Sequence, residues 1–237
     1  MRATNCSQRI VQLAIACLML ATTAETSWGD NIPISIVGIV NANLQVSNTA
    51  YPSGSVMLGG VPFEIAATGN NYYWSGGVGV STAVVPINLA GVIGVHTLIN
   101  NAWGESGPGT LAALTFTFDD STTFVKTLDG NVDIRDFYQN VFTNSINGTT
   151  TQNVFETDND GQSGPNLYRL DKQFIDLSAF STKTLVSMTL TDSGQDGVQR
   201  TLLTGVTVVS VPEPSSMAFI GVVVTGVLIR RCRRVDV

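Results

Sequence analysis

Four groups of residues carry side chains suited to chemistry. Glu156-Thr-Asp158-Asn-Asp160-Gly161 sets carboxylates at alternate positions ahead of a glycine. That is the opening half of an EF-type calcium loop, and such hard oxygens suit Ca²⁺. Its second half fails, because the twelfth position is Leu167 where a bidentate Glu is needed, and Asp171 lies too far along; a solvated acidic loop is the competing reading. Tyr72, Tyr73, Trp74 and Trp103 are the aromatics expected in loops. Ring faces stack on sugar C–H surfaces; alternatively, Trp103 and one tyrosine cap the core with their polar ends on a partner. Asp133 and Arg135 alternate in Asp-Ile-Arg-Asp136. On a strand they share one side, opposite Ile134, where a solvent-facing pair grips sugar hydroxyls or pins the turn before Phe137. Glu64, Glu105, Asp133 and Asp136 are the carboxylates a glycan hydrolase would draw on. They would have to converge to about 5–10 Å in a cleft, and the sequence pairs none of them.

Other chemistries find no support. His96 is the only histidine, so a histidine metal cluster lacks partners, and a lone imidazole on a strand reads as structural. No Gly-x-Ser-x-Gly elbow is present. Cys6, Cys17 and Cys232 all lie in the terminal segments, leaving the interior of the chain without a disulfide, a thiolate ligand or a cysteine nucleophile. Between Glu25 and Pro214 six cations stand against seventeen carboxylates, a net charge of −11. That balance favours solubility and disfavours nucleic acid.

The elements that must position these residues read as short strands. Candidates are Ile34–Val40, Leu44 with Val46, Val61–Ile65, Val84–Leu89, Val92–Ile99, Phe174–Leu177, Leu185–Leu190 and Thr201–Val209. The clearest is a hairpin: Leu114, Phe116 and Phe118 alternate, Asp119-Asp120-Ser121 turns, and Thr123–Leu128 returns. Asn140–Pro165 reads as one long polar loop. About ten such strands without an amphipathic helix predict an all-β, jelly-roll-like β-sandwich. No repeat of fixed period is visible, which argues against propellers and solenoids.

Both ends of the chain differ from this interior. Arg2 and Arg9 precede an apolar run, Ile10–Leu20, and Thr22-Thr23-Ala24 offers small residues for cleavage, so residues 1–24 read as a secretory signal peptide for signal peptidase. A lipoprotein signal ending at Cys17 is the rival. At the other end, residues 211–237 hold Val211-Pro212-Glu213-Pro214, an uncharged run Met217–Ile229, and Arg230, Arg231, Arg233 and Arg234. As a helix the run reaches roughly 20 Å, short of a hydrocarbon core of about 30 Å. The arginines would stay cytoplasmic by the positive-inside rule, placing the preceding chain outside. The two prolines leave an extended, accessible tetrapeptide just before it.

Motif, marginal span and basic cluster together resemble a PEP-CTERM sorting signal, a region also named after ice-binding proteins. The resemblance implies an exosortase-type partner that recognises Pro212-Glu213-Pro214, transient anchoring in the inner membrane, and delivery to the envelope or extracellular matrix; an anchor that is never cut is the alternative. Gly60-Val-Pro-Phe-Glu-Ile65, Val92–Gly104, the Phe116–Leu128 hairpin and Gly130–Phe137 are similar to a galactose-binding-like jelly roll over residues 55–210. That likeness implies a binding module without catalysis. The expectation is therefore an exported, non-enzymatic sandwich over residues 25–210 that binds polysaccharide or builds matrix. A secreted glycan hydrolase and an ice-binding protein are the alternatives; the chain is rich in Thr, but no flat, regular Thr array is evident along it.

Overall fold

Apolar residues at alternate positions divide the chain into strands with one inward face, and these pair antiparallel throughout. The structure is a computed structural model that describes residues 29–76, 79–104, 109–139, 143–158, 167–194 and 198–211. The expected signal peptide, the Pro212-Glu213-Pro214 motif, the apolar run expected to form a C-terminal helix and the basic cluster lie outside these residues, as do Glu105 and Asp160. In chain order the strands are β1 (Asp30–Ile34), β2 (Gly54–Leu58), β3 (Val61–Ile65), β4 (Tyr73–Trp74), β5 (Ser81–Ala90), β6 (Val92–Ala102), β7 (Thr110–Phe118), β8 (Thr123–Asp129), β9 (Thr151–Thr157), β10 (Tyr168–Asp176), β11 (Thr184–Asp192) and β12 (Arg200–Ser210).

Six strands form the larger sheet in the order β1-β12-β6-β10-β9, with β4 also on β12, and four form the smaller in the order β5-β11-β7-β8. Their facing sides make the main core, with Val95, Ile99 and Val206 from the larger sheet and Val85, Leu114, Phe116 and Leu190 from the smaller. Each such side chain contributes roughly 1.5–3 kcal/mol by leaving water. The chain is an all-β sandwich.

The larger sheet is covered on its other side too. The β2–β3 hairpin turns through Gly59-Gly60, both at positive φ (55° and 76°), as a two-residue hairpin turn requires. It lays Val61, Phe63 and Ile65 on Leu98. Gly205 admits this approach, since a Cβ there would meet Phe63 at 3.0 Å. Lys172 latches the turn, its Nζ donating to the Gly59 carbonyl at 2.7 Å. Covered on both faces, β12 is buried along most of its length and reads as an apolar run instead of an alternation. All these pairings and clusters lie within Asp30–Val211, which forms one compact unit with its own core.

Several sequence expectations change. The 114–128 hairpin forms as β7 and β8. Leu44 and Val46 instead occupy a 3₁₀ turn, capped by the Asn43 side chain accepting from the Gln45 amide. β1 stops at Ile34, and the chain then turns with Ile36 buried. The long loop contains β9, an edge strand with polar residues on both faces and hence no readable alternation.

The outward positions of the smaller sheet fall into register. Thr82, Thr191, Ala113 and Thr127 lie side by side across its four strands, followed by Val84, Thr189, Thr115 and Val125, then Pro86, Ser187, Thr117 and Thr123.

Candidate functional site

Three of the four expected aromatics come together on the covered face of the larger sheet. β4 adds to β12 opposite Leu202 and Leu203, which points Trp74 outward and Tyr73 into the main core. Asn41 clamps β4 on its free side, accepting from the Trp74 amide at 2.7 Å and donating to the Trp74 carbonyl at 2.9 Å. The next residue, Ser75, is fastened to the other sheet: its hydroxyl donates to buried Asp192, which also accepts from the amides of Thr201 (2.6 Å) and Gly194 (2.7 Å). The position of Trp74 is thus fixed by β12, the 41–42 segment and β11 together.

Trp103 follows the last residue of β6 and stands edge-to-face to Trp74, with ring centroids 5.9 Å apart. Trp74 in turn meets Tyr72 (5.6 Å) and Phe137 (5.9 Å) edge-on. The band continues from Phe137 to Tyr168, and from Tyr168 to Tyr138 and Tyr51. Such tilted and edge-on contacts contribute about 0.5–1.5 kcal/mol each beyond area burial. The Arg200 guanidinium lies 5.8 Å from the Trp74 ring centroid and donates to the carbonyls of Ser75 and Gly76. Tyr72 is buried at the back of the band, where loss of solvent pushes its hydroxyl up to about 12. Trp103 forms its open end, 49% exposed. Its φ of 54° is a left-handed conformation that bulky residues rarely adopt. Strain of about 1–3 kcal/mol persists only where the surroundings enforce it. Here they do: Gly104 is packed so closely on Asn101, Thr143 and Leu111 that a Cβ would find no room.

Asp133 and Arg135 do not form the expected solvent-facing pair. Residues 129–134 make a turn, with Asn131 at φ 63° and Gly130 bridged to Ile134, so strand alternation does not apply. Asp133 is buried and ion-paired with Lys126 at 2.9 Å. Arg135 points to Asp171, its Nε and Nη2 each donating at 2.7 Å to the two carboxylate oxygens. Asn100 donates to the same carboxylate at 2.8 Å and Asn153 at 3.3 Å. Asp136 is fully buried and accepts from the Thr143 hydroxyl at 2.9 Å. Arg169 closes the network, donating to the Asp136 carbonyl and the Asn144 side chain. These groups pin residues 130–139 and 143–147 onto β6 and β10 beneath Phe137 and so support the aromatic band; they do not meet solvent as a grip. Glu64 lies on the β2–β3 hairpin, where Ser55 donates to it at 2.6 Å.

Of the calcium candidates, Glu156 lies on β9 opposite Arg169. Asp158 is exposed, and its carbonyl accepts from the Asn48 side chain. Among the described residues no group of three or more His, Cys, Asp or Glu side chains is placed to hold a metal ion.

His96 lies on the covered face of β6 against Phe174, ring centroids 4.8 Å apart. Burial, then the charge of Lys172, lowers its pKa from 6.5 to about 4. The unfolded chain therefore takes up a proton near pH 6.5 that the folded chain refuses until pH 4, and stability falls as pH drops through that window. His96→Gln is expected to flatten the dependence of the melting temperature on pH between 4 and 6.5. An unchanged slope would remove His96 as its cause.

Phe137, Tyr138, Tyr168 and Arg200 belong to this surface without having stood out in the sequence. Tyr168 begins β10 and Arg200 begins β12, and nothing local marks either as a neighbour of Trp74.

Compared with known families, residues 210–234 match the PEP-CTERM protein-sorting motif. No curated protein matches the chain. The motif marks an exported protein that is transiently anchored in a membrane and recognised by an exosortase-type processing enzyme. Among the described residues no helix is long and apolar enough to cross a membrane; the apolar segment 217–229 lies outside them.

Proposed function

We propose that this exported protein is a non-catalytic polysaccharide-binding module of the cell envelope or extracellular matrix, with a jelly-roll sandwich of the galactose-binding-like kind. One observation carries the reading: a connected band of aromatic rings ends in Trp103, which is half exposed and held in a strained backbone conformation. Exposed ring faces stack on the C–H faces of sugars, and Tyr138 and Arg200 at the band supply polar groups for hydroxyls. Asp133 and Asp136, two of the four carboxylates a hydrolase would draw on, are buried and already hydrogen-bonded or ion-paired, which favours binding over catalysis.

Signal peptidase removes residues 1–24, and the exosortase-type enzyme cuts near Pro212-Glu213-Pro214, releasing the sandwich from the inner membrane. Mass spectrometry of the mature envelope protein is expected to show no peptide containing Arg230–Arg234; its recovery in stoichiometric amount would contradict cleavage. Retention of purified residues 25–211 on insoluble polysaccharides tests the binding half.

A further inference from the structure

The outer face of the smaller sheet has a regularity that a merely soluble surface does not need. Its three rows of four residues contain seven Thr, two Val and one each of Ala, Ser and Pro, with no charged side chain. This occurs on a chain whose interior segment carries −11. Charges flank the rows at both ends: Asp119, Asp120 and Lys183 beyond one, where Lys183 pairs with Asp120 at 2.7 Å, and Asp129 beyond the other, where it accepts from the Thr110 hydroxyl at 2.7 Å. Val84 and Val125 are 51% and 53% exposed. Among the described residues, none of the seven threonine hydroxyls on this face is taken up by a hydrogen bond within the protein.

Strand pairing spaces these side chains about 4.8 Å apart across the sheet and roughly 6.7 Å along it. β-branched side chains hold few rotamers, so nine of the twelve positions present their methyl and hydroxyl groups as a fixed lattice. Charged groups impose their own hydration shells, whereas a rigid grid of methyls and hydroxyls orders water into a repeat of its own spacing. Those spacings are of the size of the oxygen repeats on the prism faces of ice. Twist between neighbouring strands, about 20–25° each, limits close registry to the middle of the sheet. Thr115, Thr117, Thr189 and Thr191 on the two central strands therefore matter most.

We propose that this threonine face binds ice. It lies on the smaller sheet and the aromatic band on the larger, so the two proposals stand or fall separately. The test is partition of purified residues 25–211 into a slowly grown ice hemisphere. Wild type is expected to enter the ice. Thr115→Lys and Thr189→Lys should be excluded from it, Thr115→Val should enter, and Thr149→Lys, in a loop outside the face, should behave as wild type. Circular dichroism melts identify any variant that fails to fold, and Thr115→Ser, lacking only the methyl, then supplies the comparison, with reduced entry expected. Wild type remaining in the liquid like serum albumin would overturn the proposal, as would Lys variants that enter equally. A concentration-dependent dimer in sedimentation that Thr115→Lys abolishes, without ice partition, would assign the face to a second copy of the chain and overturn it too.

Discussion

Asp171→Ala is expected to lower stability by about 3–5 kcal/mol, because it leaves a charged partner buried without its counter-ion. Asp171 is wholly buried, and its two oxygens take both guanidinium bonds from Arg135 and further bonds from Asn100 and Asn153. Only about a tenth of the Arg135 side chain reaches solvent, so that charge cannot be rehydrated where it stands. Against a typical total of about 5–15 kcal/mol, such a loss is a large fraction of the fold's stability. The measurement is urea unfolding of residues 25–211, with a fall in midpoint at unchanged slope. The double variant Arg135→Met/Asp171→Leu is expected to be less damaged than Asp171→Ala, since no uncompensated charge remains. A single variant that unfolds at the wild-type midpoint would mean residues 130–139 are held on by something other than this pair.

The second large effect falls on binding and leaves the fold alone. Trp103→Gly is expected to weaken polysaccharide binding by roughly 30-fold or more, the scale of a central aromatic anchor worth about 2 kcal/mol. The same change relieves a left-handed φ on a bulky residue, which offsets the lost contact with Trp74, so stability should stay nearly level. A Trp103 that merely capped the core would behave oppositely, its truncation costing about 3–5 kcal/mol. Melting temperature and affinity measured on one variant therefore separate the two roles. Trp74→Ala cannot do so, because that ring contacts Tyr72, Trp103, Phe137 and Arg200 and its loss disturbs all four.

Sequence and structure agree where the physics is local or linear. The β7–β8 hairpin is legible because each strand has one buried and one open face, and so alternates. The sorting tail is legible because such a signal is read along the chain, without tertiary packing. What the sequence hides depends on chain segments far apart. Trp74 and Trp103 stand out by type, but their contact follows from β4 adding to β12 beside the end of β6. Asp133 and Arg135 look like neighbours on a strand because alternation is the default reading. The Gly130-Asn131 turn sends one to Lys126 and the other to Asp171. The regular threonine array, not evident along the chain, exists only across it, assembled from residues 82, 115–127 and 189–191. β9 was hidden for a different reason: an edge strand with polar residues on both sides carries no period.

The most direct test of the binding account is a pull-down of residues 25–211 on a panel of insoluble and bacterial polysaccharides, once with calcium and once with chelator. The account expects saturable retention on at least one polysaccharide, lost in Trp103→Gly. Loss in chelator as well would bring Glu156, Asp158 and Asp160 into the site. Absence of retention on every polysaccharide in both conditions, with the protein shown to be folded, would contradict a carbohydrate-binding role for the aromatic band.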